Sequence, residues 1–284
     1  CSVEGSKIWL NCNPEGPNHW LKKEWIDKRK EKRALRLHFT MDDNPSLSES
    51  VKQRYQRMYT GVFYQRFILG RWVLADGIVY DMFEAGKHMQ NLNDRDTSYD
   101  RVVIGIDYGT RNPTSFLKIG ITYSESNDRT EYHVLDEYYY DGRKNKQRTD
   151  EEHYEALVDF AEGTSIDAIY IDPSAASFIT TIQRYGEFAT IQAKNDVLDG
   201  IRTVASLLSE DRLYVDKECK SLEQEFGSYI WDERAQNRGV DKPIKDNDHA
   251  LDALRYVVYT IESAVKVDMV SVEEFDYLED DDDW

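Results

Sequence analysis

Long apolar runs are missing from this sequence. None approaches the roughly 20 residues that a membrane-spanning helix needs, and no charged-then-apolar leader opens the chain. A membrane partner is therefore not expected, and the reading is of a soluble, intracellular protein. Cysteine is scarce: Cys1, Cys12 and Cys219 are odd in number, scattered and without CxxC spacing. That excludes a disulfide framework and a thiolate-bound zinc, and leaves reduced thiols. A Gly-x-x-x-x-Gly-Lys-Ser/Thr phosphate loop is also absent, so no ATP-binding residue is assigned and no ATPase activity is expected of this chain by itself. Basic charge is in deficit, with 36 Lys and Arg against 54 Asp and Glu and a formal net charge of −18. Taken whole, that balance argues against a nucleic-acid partner.

The distribution of charge reverses that inference. Nine acids and no bases lie from Asp268 to the end, and without them 45 acids face 36 bases. Between Lys22 and Arg36 the sign changes, with eight bases against three acids. Partners must therefore be argued locally. With 284 residues, 40% of them hydrophobic and 12% aromatic, the chain has material for one large domain or two modest ones with a real core. It opens on Cys1 inside a strand-like segment, so a fragment of a longer protein is expected.

Periodicity divides the chain. Residues 7–14 read as a short strand stopped by Pro14, 19–31 as a basic amphipathic helix, and His38-Phe39-Thr40 as strand-like. Ser46 with Glu49 predicts a capping box ahead of a helix whose apolar face is Val51, Tyr55 and Met58, and a short helix follows near 63–69. Periodicity is lost over 81–100, where Gly, Asn and Asp collect, and the main boundary is placed there. Beyond it strands are expected at 101–108, 114–123 and 132–140. Helices at 151–161, 177–185, 197–208 and 219–226 then alternate with strands at 167–171, 190–193 and 213–215. A polar hairpin over 229–245 and a last helix over 248–263 complete the pattern. Three antiparallel-looking strands followed by alternating helices and strands is the order of an RNase H-type fold.

Three acidic positions stand where a fold must work to put them. Asp107 ends the apolar run Val102-Val103-Ile104-Gly105-Ile106, and Asp172 ends Ala168-Ile169-Tyr170-Ile171. Carboxylates at the ends of adjacent buried strands crowd their charge, which is costly without a cation between them. At the start of the last helix, His249 and Asp252 are three apart and share a face. Hard oxygens plus one imidazole suit Mg²⁺ or Mn²⁺ rather than a thiolate-bound metal, and two such ions about 3.5–4 Å apart serve phosphodiester hydrolysis. Singly, each residue has an ordinary reading: a turn former for Asp107 or Asp172, an N-cap for Asp248, a surface or capping histidine for His249. The joint pattern is what points to catalysis. Arg111, just after the first motif, and Lys194, after the 190–193 strand, are candidate phosphate contacts or else simply solvated side chains.

The segments Ile104-Gly105-Ile106-Asp107-Tyr108-Gly109, Ala168-Ile169-Tyr170-Ile171-Asp172 and Asp248-His249-Ala250-Leu251-Asp252-Ala253-Leu254-Arg255-Tyr256 resemble the nuclease domain of tailed-phage terminase large subunits. Those enzymes cut concatemeric viral DNA into packaged genomes. Upstream, Leu10-Asn11-Cys12-Asn13-Pro14-Glu15-Gly16-Pro17 and the stretch through Gly70-Arg71-Trp72 resemble the end of the terminase packaging ATPase and its linker. The resemblance spans most of the chain. It implies an α/β fold with an RNase H-like (resolvase/integrase-type) mixed central sheet flanked by helices, preceded by a smaller, mostly helical segment.

The domains implied are residues 1–95 as an ATPase remnant with its lid or linker, 96–266 as the nuclease, and 267–284 as an acidic, disordered tail. The family's ligand pattern makes Asp107, Asp172 and Asp252 the acidic triad, with His249 as accessory ligand or proton handler. Asp107 is then expected to bridge two divalent ions, with Asp172 and Asp252 each holding one. By position the 229–245 hairpin lies beside the active site in that family, so Arg234, Arg238, Lys242 and Lys245 are either phosphate contacts or a solvated hairpin. The implied partners are double-stranded DNA, a small terminase subunit and a portal protein, and the implied place is the host cytoplasm with transient docking at the procapsid portal. Three rival readings remain: a Holliday-junction resolvase, an actin- or sugar-kinase-like ATPase suggested by Asp107-Tyr108-Gly109-Thr110, and a non-catalytic capsid or portal docking module. The ATPase rival lacks a second Asp-Gly phosphate loop and a Gly-rich adenosine site.

Overall fold

The structure, a computed structural model, describes residues 6–92, 98–124 and 129–276. Cys1, residues 93–97 of the expected boundary segment and residues 277–284 of the expected tail lie outside the described residues. After short helical turns at Lys22–Ile26 and Met41–Asp43 come α1 (Glu49–Met58), α2 (Gly61–Phe63), α3 (Ala85–His88) and β1 (Met89–Gln90). Three long strands follow, β2 (Arg101–Asp107), β3 (Thr114–Ser124) and β4 (Arg129–Tyr140). Then come α4 (Asp150–Ala161), β5 (Ala168–Ile171), α5 (Ala176–Tyr185), β6 (Thr190–Gln192), α6 (Val197–Ser209) and β7 (Leu213–Asp216). Last are α7 (Lys220–Ser228), α8 (Glu233–Asn237) and α9 (His249–Asp276). Two compact units result: Cys1–Gly77 with Ile230–Ile244, and Ile78–Tyr229 with Lys245–Trp284.

In the first unit the expected strands do not form. Ile8, Trp9 and Phe39 are 59%, 81% and 72% exposed, and a strand without a partner leaves its backbone groups unpaired. The basic helix expected over 19–31 shrinks to a π-helical turn at Lys22–Ile26 with no buried residue, because a helix of this length draws its stability from a packed face. The cap of α1 is Ser48, which accepts from the Val51 amide, rather than Ser46. A capping box does occur at Thr40 and Asp43. The stretch 230–244 belongs to this unit, and its two arms pair antiparallel: Trp231 bridges Pro243, Asp232 N donates to the Lys242 carbonyl and Ile244 N to the Ile230 carbonyl, with α8 between the arms. Buried Arg66 anchors it, donating to the Asp241 carboxylate and the Val73 carbonyl.

The second unit is a seven-stranded mixed sheet in the order β1-β7-β4-β3-β2-β5-β6. β2, β3 and β4 are antiparallel neighbours, while β5, β6 and β7 join in parallel. This is the expected α/β sheet. β1 pairs with β7 at one edge, so the unit begins at Ile78, ahead of the expected boundary at 95/96. α9 continues to Asp276, past residue 267 where the tail is expected to begin.

β2 is central, and Val103, Ile104 and Ile106 are completely buried, which explains a near-continuous apolar run. Ile104 and Ile106 join Tyr154 and Leu157 of α4, Phe178 and Ile182 of α5, and Ile169 and Ile171 of β5 in one core cluster. Gly105 faces the other way, onto α9. A Cβ there would lie 2.3 Å from the Ala253 carbonyl oxygen and 2.8 Å from Val257 Cγ2, so only glycine lets the helix lie this close. Gly105→Ala is expected to cost about 1–3 kcal/mol of stability through overpacking. Urea denaturation checks this, and an unchanged midpoint would contradict the close approach.

The start of α9 is held from outside the helix. Ala250 and Leu251 donate their amides to Glu225 Oε2 at 2.7 and 2.9 Å, and the Tyr139 hydroxyl donates to Oε1 at 3.0 Å. Asp248, the expected cap, does not take these amides because Glu225 of α7 already occupies them. Burial pushes the Glu225 carboxyl up to about 7, against the hydrogen bonds that favour its charge. Since this lies above the ordinary glutamate value, the folded protein holds the proton more tightly than the unfolded chain. The associated stability is complete below the unfolded value and is lost as pH rises through the folded one. Glu225→Gln is therefore expected to flatten the fall in melting temperature between about pH 5 and 8 in EDTA; a variant as steep as the wild type would contradict the assignment.

Candidate active site

The sheet register sets the acids side by side. β2 and β5 are parallel, and Ile106 opposite Ile171 is their last pair. Asp107 and Asp172, the next residue of each chain, therefore leave neighbouring strands at the same end. Adjacent strands are about 4.8 Å apart, so the backbone alone brings the two carboxylates together. α9, packed on β2, carries His249 and Asp252 in its first turn. His249 Nδ1 is 2.8 Å from Asp107 Oδ2. The buried Tyr256 hydroxyl donates to Asp107 Oδ1 at 3.5 Å.

A brace links the other two acids. Arg255 donates to Asp252 Oδ1 from Nε at 3.2 Å and from Nη2 at 2.8 Å. Its Nη1 donates to the carbonyls of Asn195 at 2.9 Å and Asp196 at 3.1 Å. The Asn195 side-chain amide donates to Asp172 Oδ2 at 3.2 Å, and the Ser174 amide donates to Oδ1 at 2.7 Å. The loop between β6 and α6 thus steadies both carboxylates through one residue, Asn195.

Each acid carries a distinct electrostatic load. Burial, and then the like charges of Asp252 and Asp172, raise the pKa of Asp107, against the opposing pull of His249. For Asp172 burial works upward, yet hydrogen bonds from Ser174, Asn195 and Tyr256 outweigh it and the value is lowered. Burial disfavours the His249 cation, but the hydrogen bond and charge of Asp107, helped by Asp248 and Glu225, raise its affinity for a proton. Burial and the neighbouring Asp252 push Asp248 up to about 6.

Among the described residues, no three His, Cys, Asp or Glu side chains stand close enough to enclose an ion as they are. His249, Arg255, Asn195 and the Ser174 amide occupy carboxylate oxygens that a metal would need. The donor set nonetheless fits a hard divalent cation. The charges of Asp172 and Asp252 raise the proton affinity of Asp107, and a divalent ion relieves the same repulsion a proton does.

The candidate basic residues divide between the units. Arg111, Lys194 and Lys245 are exposed in the second, and Lys245 acts on Asp248. Arg234, Arg238 and Lys242 are exposed in the first. Sequence reasoning passed over Tyr256, Arg255, Asn195 and Glu225 as functional side chains. Arg255 and Tyr256 lie three and four residues after Asp252, on its helical face. Asn195 follows a strand end, as Asp107 and Asp172 do. Glu225 interrupts the apolar stripe of Leu222 and Phe226, and an acid at such a position is a readable signal of a buried role.

Comparison with known proteins bears on the family and the fold. The family described as phage terminase large subunit matches residues 2–70, and the terminase RNaseH-like domain matches residues 119–260, half of the chain. The terminase large subunit of Escherichia phage T5 is 29% identical over 233 residues, covering 79% of this chain and 51% of its own length. The large terminase from a thermophilic bacteriophage, solved in complex with ATP-γ-S, is 52% identical, with a TM-score of 0.84 over 92% of this chain and 64% of that one. The P22 large terminase nuclease domain, 18% identical with a TM-score of 0.51, covers 66% of this chain and 93% of its own and shares the fold. This chain thus spans about half the length of the T5 relative and less than two thirds of the thermophilic-phage protein. Parallel strands ending in paired aspartates beneath a helix that opens His-x-x-Asp accompany these matches, and the chain belongs to the phage terminase large-subunit family, carrying its RNaseH-like domain.

Proposed function

We propose that this chain is a divalent-metal-dependent endonuclease that cuts double-stranded, concatemeric viral DNA during genome packaging. The observation that carries this reading is the junction of Asp107, Asp172 and the first turn of α9 at one end of the sheet. Asp107, Asp172 and Asp252 would hold two Mg²⁺ or Mn²⁺ ions, Asp107 serving both. When bound, such ions neutralise phosphate charge, lower the pKa of water and stabilise the leaving oxygen. His249, 2.8 Å from Asp107, orients that carboxylate and can exchange a proton at Nδ1 or join the ligand set.

The exposed Arg111 and Lys194 are proposed phosphate contacts, together with Lys245 and with Arg234, Arg238 and Lys242 of the first unit. Affinity carried by such contacts is largely sequence-independent and falls steeply with salt, so selection of a packaging site falls to partners. A small terminase subunit and a portal protein are the partners proposed, with the host cytoplasm and the procapsid portal as the place of action. We assign residues 1–77 to the end of a packaging ATPase and its linker, with 78–95 joining the second unit. Nucleotide hydrolysis is not assigned to this chain, which has no phosphate-loop motif.

Supercoiled plasmid incubated with Mn²⁺, Mg²⁺ or EDTA tests the reading. Wild type is expected to nick and linearise with metal and to be inert in EDTA. Asp107→Asn, which removes a charge with little change of shape, is expected to lose at least the roughly 100-fold that loss of an outer-shell partner can cost, with its circular dichroism unchanged. A variant that cuts at the wild-type rate would end the assignment. Wild type inert with every metal would favour the docking-module reading.

A further inference from the structure

Ser115 of β3 is completely buried, and among the described residues its Oγ has no hydrogen-bond partner. A buried hydroxyl left without a partner costs about 1–3 kcal/mol, and native proteins keep few of them. Alanine would fill nearly the same space without that cost. The place of this hydroxyl in the sheet supplies a reason for keeping it.

Ser115 pairs with Asp107 of β2 on one side and with Tyr139 of β4 on the other. Residues directly opposite on antiparallel strands share a face, with their Cβ atoms about 4.5–5.5 Å apart. Asp107, Ser115 and Tyr139 therefore form a row across three strands. The face they share is the one that α9 covers: Asp107 meets His249, and Tyr139 donates to Glu225, which takes the Ala250 and Leu251 amides. Both outer members of the row are thus engaged with the first turn of α9, Tyr139 through Glu225. The middle member has a proton to give and no acceptor for it. Of its two neighbours, Asp107 is the carboxylate, and here its oxygens meet His249 Nδ1 at 2.8 Å and the Tyr256 hydroxyl at 3.5 Å.

We propose that Ser115 is a positioning residue of the divalent-metal site, its hydroxyl donating to the Asp107 carboxylate once a cation has displaced His249 from it. This rests on the nuclease reading above. A carboxylate that ligates a metal is itself held by outer hydrogen bonds, which orient it and raise the affinity of the site. Ser115 offers Asp107 such a bond from the adjoining strand, where the backbone ladder fixes its place. It touches neither metal nor phosphate and acts only through Asp107.

Metal affinity set against metal-free stability separates this role from a purely structural one. The melting temperature in EDTA and the Mn²⁺ midpoint by titration calorimetry are compared for the wild type, Ser115→Ala, Ser115→Cys and Asp107→Asn. Ser115→Ala is expected to melt at or above the wild-type temperature in EDTA, since it loses an unsatisfied buried group. Its Mn²⁺ midpoint is nonetheless expected to rise about tenfold. Ser115→Cys, close to serine in size but a weak donor, should raise the midpoint in the same direction, which covers a failure of the alanine variant to fold. If both Ser115 variants keep the wild-type midpoint while Asp107→Asn does not, the proposal is overturned and the nuclease reading stands. A Ser115→Ala protein that melts lower than wild type in EDTA, with an unchanged midpoint, would make the hydroxyl a structural group and also overturn the proposal. Wild type that binds no Mn²⁺ would overturn the proposal together with the metal site itself.

Discussion

The site depends on how closely α9 lies against β2. Gly105 removes the one side chain that would hold the helix away, and the Ala253 carbonyl occupies the space a methyl group would need. Because helix and strand touch backbone to backbone there, the first turn of α9 reaches the end of β2, and His249 comes within hydrogen-bonding distance of Asp107. Glu225 fixes the same turn from α7 by binding its two free amides. Register does the remaining work, since the parallel pairing of β2 with β5 leaves Asp107 and Asp172 as neighbours whatever their side chains prefer.

What this packing creates is a concentration of negative charge in a poorly solvated place, and each acid is compensated differently. Asp107 leans on His249, Asp252 on Arg255, and Asp172 on the Ser174 amide and the Asn195 side chain. These partners are individually modest, and two of them, Arg255 and Asn195, are joined through the Asn195 carbonyl. A change at Asn195 therefore reaches two carboxylates at once. A divalent cation would complement that arrangement, because it offsets the repulsion among the carboxylates.

The second unit was largely legible in the sequence because β2 to β7 announced themselves as short apolar runs and each long helix by its stripe; β1, a two-residue strand inside the stretch read as a boundary, did not. Asp107, Asp172, His249 and Asp252 could be named because strand ends and the three-residue helical spacing are local patterns. Arg255 and Tyr256 share that helical face, yet their function depends on what lies across from it, which spacing does not carry. Asn195 and Glu225 act across 23 and 25 residues of sequence respectively, a distance no local pattern spans. In the first unit, expectation and structure part for a different reason. Residues 7–14 and 19–31 have the composition of a strand and a helix, but Ile8, Trp9 and Leu10 stay exposed in the first and only Leu21 is buried in the second. Propensity without a packing partner does not make an element. The 230–244 segment reads as a polar hairpin, and its arms do pair antiparallel at the Trp231–Pro243 bridge, while the α8 helix between them was not legible.

The measurement that bears most directly on the metal-ligand role of these acids is the anomalous scattering of Mn²⁺ in crystals of the chain. The expected result is a peak within coordination distance of an Asp107 oxygen, shared with Asp172 or Asp252, with the His249 or Arg255 side chain turned away from the oxygen it now occupies. Saturating Mn²⁺ with no anomalous peak at Asp107, or with the ion held only elsewhere on the chain, would contradict it.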